Sequence, residues 1–287
     1  MNKTTQKLIG DIFFYILIAI IAIYLIFPFY WALISSLKTE NELMRTPATW
    51  WPQNLTFTNY RAIFTNEDFL RSIPNSIFVA GTTTLLSLLV GSFAGYALGK
   101  LRFRGRTPSL YLILSMTMFP QGAILAGLFS VINGVKSIPW LNVPTLVLLV
   151  IIYMVFSLPF ATWVLTAFFK GLPGSLLEAA RVDGATFSQT FWQILLPLTA
   201  PALVTTGLLA FIGAWNEYLF ALTFTLQEPN SRTVPVATAN ISGRFAMQEP
   251  VGEIMAGALI ITIPLIILVI IFQNRIVGGL TAGAVKG

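Results

Sequence analysis

The chain of 287 residues is 56% hydrophobic and only 10% charged, against roughly 25% charge in soluble domains, so most of it must face lipid or other apolar helices. It has no Cys and no His, which excludes disulfides, thiol nucleophiles, imidazole metal ligands and His-based triads and leaves acid–base chemistry to its 11 Asp and Glu residues. A net charge of +6 would suit nucleic acid, but the basic residues lie between apolar runs rather than on one stripe, which argues for membrane orientation and against a nucleic-acid partner.

Lys3 and Lys7 precede an apolar run from Ile12 to about Leu33. The run exceeds the roughly 7 to 15 residues of a secretory signal core and no small-x-small cleavage site follows, so it reads as a first span. Lys38 to about Arg71 is polar, and Trp50 and Trp51 within it suit the headgroup level. A second span is expected from about Ile73 to Leu98. Ser87, Gly91, Gly95 and Gly99 recur every four residues there, giving a small-residue face that lets another helix, of this chain or of a partner subunit, approach closely. Gly95 to Lys100 falls one residue short of a phosphate loop and has Leu101 where Ser or Thr must hold magnesium, so no ATP site is expected in this chain.

Lys100, Arg102, Arg104 and Arg106 form the densest basic run and mark a cytoplasmic loop. A third span follows from about Ser109 to Ile132, interrupted at Pro120, Gln121 and Gly122, and a fourth from about Pro144 to Phe169. The fifth runs from about Pro201 to Phe224, a polar segment covers Gln227 to about Val251, and the sixth spans Ile254 to Phe272. The expected architecture is therefore all-α and polytopic, with residues 1–70 as first helix and outer loop, 71–273 as transport core and 274–287 as a cytoplasmic tail. With both termini inside, the inner segments hold ten Lys and Arg and the outer ones seven, Arg244 among them, which agrees with that orientation.

Between the fourth and fifth spans, Leu172 to Pro197 is polar and rich in helix signals. Ser175 and Glu178 have capping-box spacing, Gly184 supplies the left-handed backbone that ends a helix, and Thr186 and Gln189 repeat the box. Phe187, Phe191, Trp192, Ile194 and Leu195 then give one apolar face, and Pro197 should end or kink the helix near Leu196. The expected product is two short helices with a glycine elbow on the cytoplasmic side.

Glu178-Ala179-Ala180, three residues, Gly184, nine residues, Ile194, one residue and Leu196-Pro197 together resemble the EAA loop of ABC importer permeases. The closing GLTAGAVKG, the run Trp215-Asn216-Glu217-Tyr218-Leu219 and Asn75-Ser76 are similar to the maltose-type carbohydrate branch. The resemblance implies a type I importer fold in a bacterial inner membrane. It implies a second homologous permease subunit, two ATPase subunits that carry ATP and magnesium, and an extracytoplasmic solute-binding protein, with no cofactor on this chain and no enzymatic role for it. It also implies that Glu178, Ala179, Ala180, Arg181, Asp183 and Gly184 dock the ATPase, that the tail from Gly278 to Gly287 lies against it as a flexible segment, and that the outer loop from Gln227 presses on the binding protein.

Carboxylates within a membrane are costly and have a partner or a pore role. Glu217, beside Asn216 and Trp215, suits either sugar binding or a polar clamp between helices; Gln121, Asn75 and Tyr218 are further pathway candidates. A secondary transporter is the alternative class and would show repeated halves, interrupted midplane helices and coupling carboxylates. The family-level solute is a sugar, with another polyol or a glycerol-phosphate derivative left open.

Overall fold

The computed structural model describes residues 3–138, 140, 142–241 and 250–284, and every regular element among them is helical. Arg244 and the last three residues of the tail lie outside the described residues. Contacts divide the chain into two compact units, the first holding Met1–Glu67 with Thr238–Ile263 and the second Asp68–Ala237 with Pro264–Gly287.

In the first unit, α1 (Lys3–Ser36) keeps the apolar side chains of its spanning run exposed, as a helix bathed in lipid should. Short helices α2 (Glu40–Leu43) and α3 (Thr58–Thr65) follow. Asn59 donates to the carbonyls of Ser36 (2.9 Å) and Lys38 (3.0 Å), satisfying oxygens that the end of α1 leaves without helical partners. Glu42 is buried and accepts from the Thr49 hydroxyl at 2.7 Å and the Gln53 amide at 2.9 Å. Burial alone would raise its pKa, but these donors, the Asn54 amide and the Lys38 charge hold it below the ordinary carboxylate value.

The second unit is organised on α4 (Glu67–Lys100). Following it are α5 (Arg106–Met116), α6 (Gln121–Lys136), α7 (Thr145–Gly171), α8 (Ser175–Val182) and α9 (Phe187–Gln189), then a π-helical turn over Thr190–Leu195. The remaining elements are α10 (Leu196–Leu198), α11 (Ala200–Trp215), α12 (Leu219–Thr225), α13 (Val234–Ala239) and α14 (Val251–Ala284), the last continuing through Pro264 from the first unit. The small-residue stripe on α4 is an intrachain seam against α7. A Cβ at Gly91 would lie 3.2 Å from that of Ala161, one at Gly95 3.1 Å from both the Leu165 Cβ and the Thr166 nitrogen, and one at Gly99 2.8 Å from the Phe169 Cβ. At Gly99 a Cβ would clash outright, and at Gly91 and Gly95 the α7 neighbours would have to give way.

Among the described residues four helices are long and apolar enough to cross a membrane, and the number rises to as many as six if each of two bent helix pairs counts as one span. The third span breaks where Pro120 was expected to break it: α5 and α6 meet at 95°. The fifth departs from expectation. At 16 residues α11 reaches about 24 Å, short of a hydrocarbon core of roughly 30 Å. The chain then leaves helical geometry at Asn216–Tyr218 before α12 resumes it, so Trp215 to Tyr218 is a break rather than helix interior. The expected stop near Leu196 also moves. In a regular helix the Pro197 ring would strike the Gln193 carbonyl and leave it without a donor; the π turn just upstream widens the helix there, and the chain bends instead at Thr199, by 73°. The tail differs too: α14 stays helical to Ala284, so the flexible segment expected from Gly278 begins as helix.

The segment after α12 is strapped at both ends. Asn75 on α4 donates to the carbonyls of Asn230 (2.8 Å) and Arg232 (2.9 Å), Arg71 donates to the Asn230 side chain, and the Val234 amide donates to Ser76 at 2.8 Å. On the other side Glu228 accepts from Lys136 at 2.9 Å and Thr145 at 2.5 Å, joining the end of α6 to the start of α7. The Thr145 hydroxyl and the Lys136 ammonium hold Glu228 below the ordinary carboxylate pKa.

Gly95→Val should force α4 off α7 and lower stability by about 1–3 kcal/mol, the range for overpacking, seen as a lower melting temperature in detergent; Gly213→Ala, where a Cβ meets nothing within 4 Å, should change it little. Glu228 should also make the strap acid-sensitive. Because its folded pKa is depressed, its contribution is present above the unfolded value and is lost as pH falls through the folded one. Hydrogen exchange at Ser231 and Arg232, corrected for intrinsic rates, should therefore rise on acidification, and Glu228→Gln should remove most of that dependence.

Candidate functional site

Two features bring functional groups together, and both lie in the second unit. The first is the helix pair between α7 and α11. Its first helix starts one residue earlier than the Ser175–Glu178 capping box requires. Gly174 is the N-cap and its carbonyl accepts from Leu177 (3.0 Å) and Glu178 (3.3 Å), so Ser175 has helical geometry and no side-chain cap forms. The correction leaves the exposed Glu178 carboxylate without a capping role. The other end matches the expectation: Gly184 has φ +74°, its amide donates to Arg181 at 3.1 Å, and the Ala185 amide donates to Ala180 at 2.9 Å, the paired bonds of a Schellman stop. Thr186 and Gln189 form the second capping box in full, with the Thr186 amide 2.8 Å from Oε1 of Gln189 and the Gln189 amide 3.3 Å from the Thr186 hydroxyl.

Glu178, Ala179, Arg181, Asp183 and Gly184 are exposed, whereas Ala180 is buried and faces its own chain. Val182, beside the elbow, is 87% exposed, and Phe187 beyond it is 58% exposed. An apolar tip of this kind costs free energy in water unless something covers it. Charge and capping signals drew attention to Glu178; Val182 was missed, although an apolar residue next to a helix-ending glycine is visible in the sequence. Below the tip, Tyr96 of α4 packs its ring edge-on to Phe169 of α7 (5.9 Å) and to Phe187 (5.2 Å) and Phe191 (5.7 Å) of the second helix, while Phe93 stacks on Phe191 at 4.7 Å. The pair is thus fastened to α4 and α7 by rings, which transmit displacement without sliding because they are close-packed.

The second feature is a cavity of about 400 Å³ lined by Gln121 at the start of α6, by Tyr153, Phe156, Ser157 and Phe160 on α7, and by Glu217 at the α11–α12 break. Both interrupted spans therefore open onto it. Glu217 accepts from the amides of Phe220 (2.9 Å) and Ala221 (3.0 Å), one bond to each oxygen, and so caps α12 where the chain resumes its helix. The Tyr153 hydroxyl stands beside this carboxylate.

Of the sequence candidates for the pathway, only Gln121 and Glu217 meet here. Trp215 is buried and stacked on Phe211 at 5.6 Å, so its face is not open to a ring. Asn216 donates back to the Ile212 carbonyl at 3.0 Å, Tyr218 is exposed outside the lining, and Asn75 is committed to the strap. Tyr153, Ser157, Phe156 and Phe160 were missed, yet each pair is spaced by four on one helix face and legible as such. Among the described residues no cluster of three or more metal-ligating side chains occurs.

Residues 87–281 match the family described as binding-protein-dependent transport system inner membrane component. The chain is 40% identical to the trehalose transport system permease protein SugB of Mycobacterium tuberculosis, covering 92% of this chain and 93% of that one. It is 38% identical to the trehalose/maltose transport system permease protein MalG of Thermococcus litoralis, over 93% and 94% of the two chains. Its fold matches that of a chain in the crystal structure of a bacterial ABC transporter involved in alginate import, with a TM-score of 0.78 at 23% identity, covering 96% of this chain and 98% of that one. A protein with this fold, and with relatives of this kind along nearly its whole length, belongs to the family of binding-protein-dependent transport system inner membrane components, the ABC importer permeases.

Proposed function

We propose that this chain is a membrane-spanning subunit of an ATP-driven sugar importer. A second homologous permease subunit completes the pathway, two ATPase subunits supply ATP and magnesium chemistry, and an extracytoplasmic binding protein delivers the solute. The relatives named for trehalose and maltose transport support sugar as the cargo, and a neighbouring fold solved together with a saccharide-bound periplasmic protein supports the delivery partner.

The observation that carries this reading is the exposed helix pair on its aromatic mount. In it Glu178 meets a basic group on the ATPase, Val182 fills an apolar depression, Ala179 permits close approach, and Arg181 and Asp183 flank the contact. Gly184 fixes the angle between the helices. Closure of the ATPase dimer displaces the pair, and the Tyr96–Phe169–Phe191 cluster passes that displacement to α4 and α7 as a rigid-body movement. The pair and the tail from Gly278 lie on the cytoplasmic side in this reading, and the segment after Gln227 lies outside.

Glu178→Arg and Val182→Asp should each reduce co-purification of the ATPase with the permease pair by at least about tenfold in apparent affinity, roughly 1.4 kcal/mol. Because both side chains are exposed, the melting temperature of the permease should hardly move. Undiminished assembly in both variants would refute docking at this pair.

A further inference from the structure

We propose that the loop between α4 and α5 is a binding site for an anionic phospholipid, with the headgroup phosphate held by the Arg102 and Arg104 guanidiniums and the glycerol and upper acyl chains resting on Phe103 and on the ring pair of Phe93 and Trp192. The proposal concerns the membrane around the subunit rather than its cargo, so it stands or falls apart from the importer reading.

The loop is short and pinned at both ends. α4 ends at Lys100 and α5 begins at Arg106, so residues 101–105 join two spans and stay close to the membrane surface. Lys100 donates to the Leu172 carbonyl, and Arg106 donates to the carbonyls of Leu98 (2.6 Å) and Gly99 (2.9 Å). With the Leu101 amide donating to Ala97 at 3.1 Å, these bonds cover the carbonyls at the end of α4, whose partial negative charge would otherwise repel an anion. Gly105, at φ +90°, then turns the chain into α5.

Two cations of the run are thus used to close α4, and two are left over. Arg102 and Arg104 are exposed, and the ion pairs among the described residues, Lys136 with Glu228 and Arg232 with Asp68, involve neither. No Asp or Glu occurs in the sequence between Asp68 and Glu178, so the neighbouring stretch of chain holds no acid to compensate them. Lys170 adds a further exposed cation at the same end, since its backbone nitrogen lies 3.3 Å from the place of a Cβ on Gly99. Guanidiniums are suited to phosphate because their planar fork donates two hydrogen bonds to its oxygens at once.

Apolar surface at the same level separates a lipid from a soluble anion. Phe103, between the two arginines, is 47% exposed. Phe93 lies seven residues before Lys100 on the same face of α4, about 10 Å along the helix from it. It is exposed and meets the exposed Trp192 edge-on at 5.7 Å. Rings at this depth suit the interfacial region, where one side of an indole meets acyl chain and the other meets headgroup. Guanidiniums at the surface with aromatic faces beneath them match a phospholipid from phosphate to upper chain, whereas nucleic acid would call for basic groups continued along a stripe.

The test is native mass spectrometry of the full importer in detergent, titrated with phosphatidylglycerol, with phosphatidylcholine and inorganic phosphate as separate arms. Phosphatidylglycerol should bind at least about tenfold more tightly than phosphatidylcholine, and Arg102→Gln with Arg104→Gln should weaken it about tenfold to thirtyfold, since each basic residue at an anionic lipid surface contributes roughly fivefold. Phe103→Ser should weaken it without any change in net charge. Inorganic phosphate should not displace the lipid, and Lys7→Gln, which removes an exposed cation elsewhere, should leave the affinity unchanged. Equal affinity for the two lipids in the unsubstituted importer would overturn the site whether or not any variant assembles. Displacement by inorganic phosphate, unchanged affinity in the arginine variant or in Phe103→Ser, or an equal loss per charge with Lys7→Gln would each overturn it as well. ATPase co-purification is measured on the same samples without added lipid; its loss in the arginine variant would assign the loop to the ATPase and overturn the lipid site.

Discussion

Backbone contact between α4 and α7 is the constraint from which the second unit takes its shape. Three positions on α4 one turn apart, Gly91, Gly95 and Gly99, approach Ala161, Leu165 and Phe169 so closely that a Cβ would be tight at the first two and clash at the third. A seam of two full turns fixes both the spacing of the helices and the rotation of α4 about its own axis. That rotation aims Tyr96 and Phe93 at the helix pair between α7 and α11, and it aims Asn75 and Ser76, some 30 Å away along the helix, at the strap after α12. One small-residue face therefore orients both ends of a 34-residue element.

The same seam gives the chain its mechanical continuity. Cytoplasmic force enters, in the proposed reading, through rings that clamp the helix pair to α4 and α7. At the other end the strap ties α4 to the segment following α12, and Glu228 ties that segment to α6 and α7. Between these anchored ends lie the two places where helices are interrupted, at 117–120 and 216–218. Rigid ends with compliant breaks between them are the arrangement in which a displacement at one end opens or closes a cavity midway, because packed helices move as bodies and the strain collects where backbone hydrogen bonding is already broken.

Much of this was legible in the residues, for reasons that also explain the failures. Spans were readable because hydropathy over 20 residues is a strong signal, and the α5–α6 break was readable because Pro120 carries it. The break at Asn216–Tyr218 was not, since no Pro or Gly marks it: a carboxylate that caps the next helix looks, in sequence, like a polar residue inside a span. The Ser175–Glu178 spacing misled for the opposite reason. The pattern was present, but Gly174 takes the N-cap position, and the spacing alone carries no information about register. The glycine stripe was recognised, although only the structure decided between a seam within the chain and one between subunits. Likewise the motif at Glu178 to Gly184 drew attention to charge, whereas an aliphatic side chain within it, Val182, is 87% exposed.

The role of Glu217 bears on how transport is driven. An intramembrane carboxylate is costly and has either a pore role or a structural partner. Each oxygen of Glu217 accepts a backbone amide at the start of α12, so the carboxylate is tied to the point where the chain resumes its helix. The group thereby holds geometry at the α11–α12 break. In the proposed reading, coupling energy reaches the cavity through helix movement. In that reading the glycine seam and its aromatic extension provide the path for such movement from the exposed helix pair.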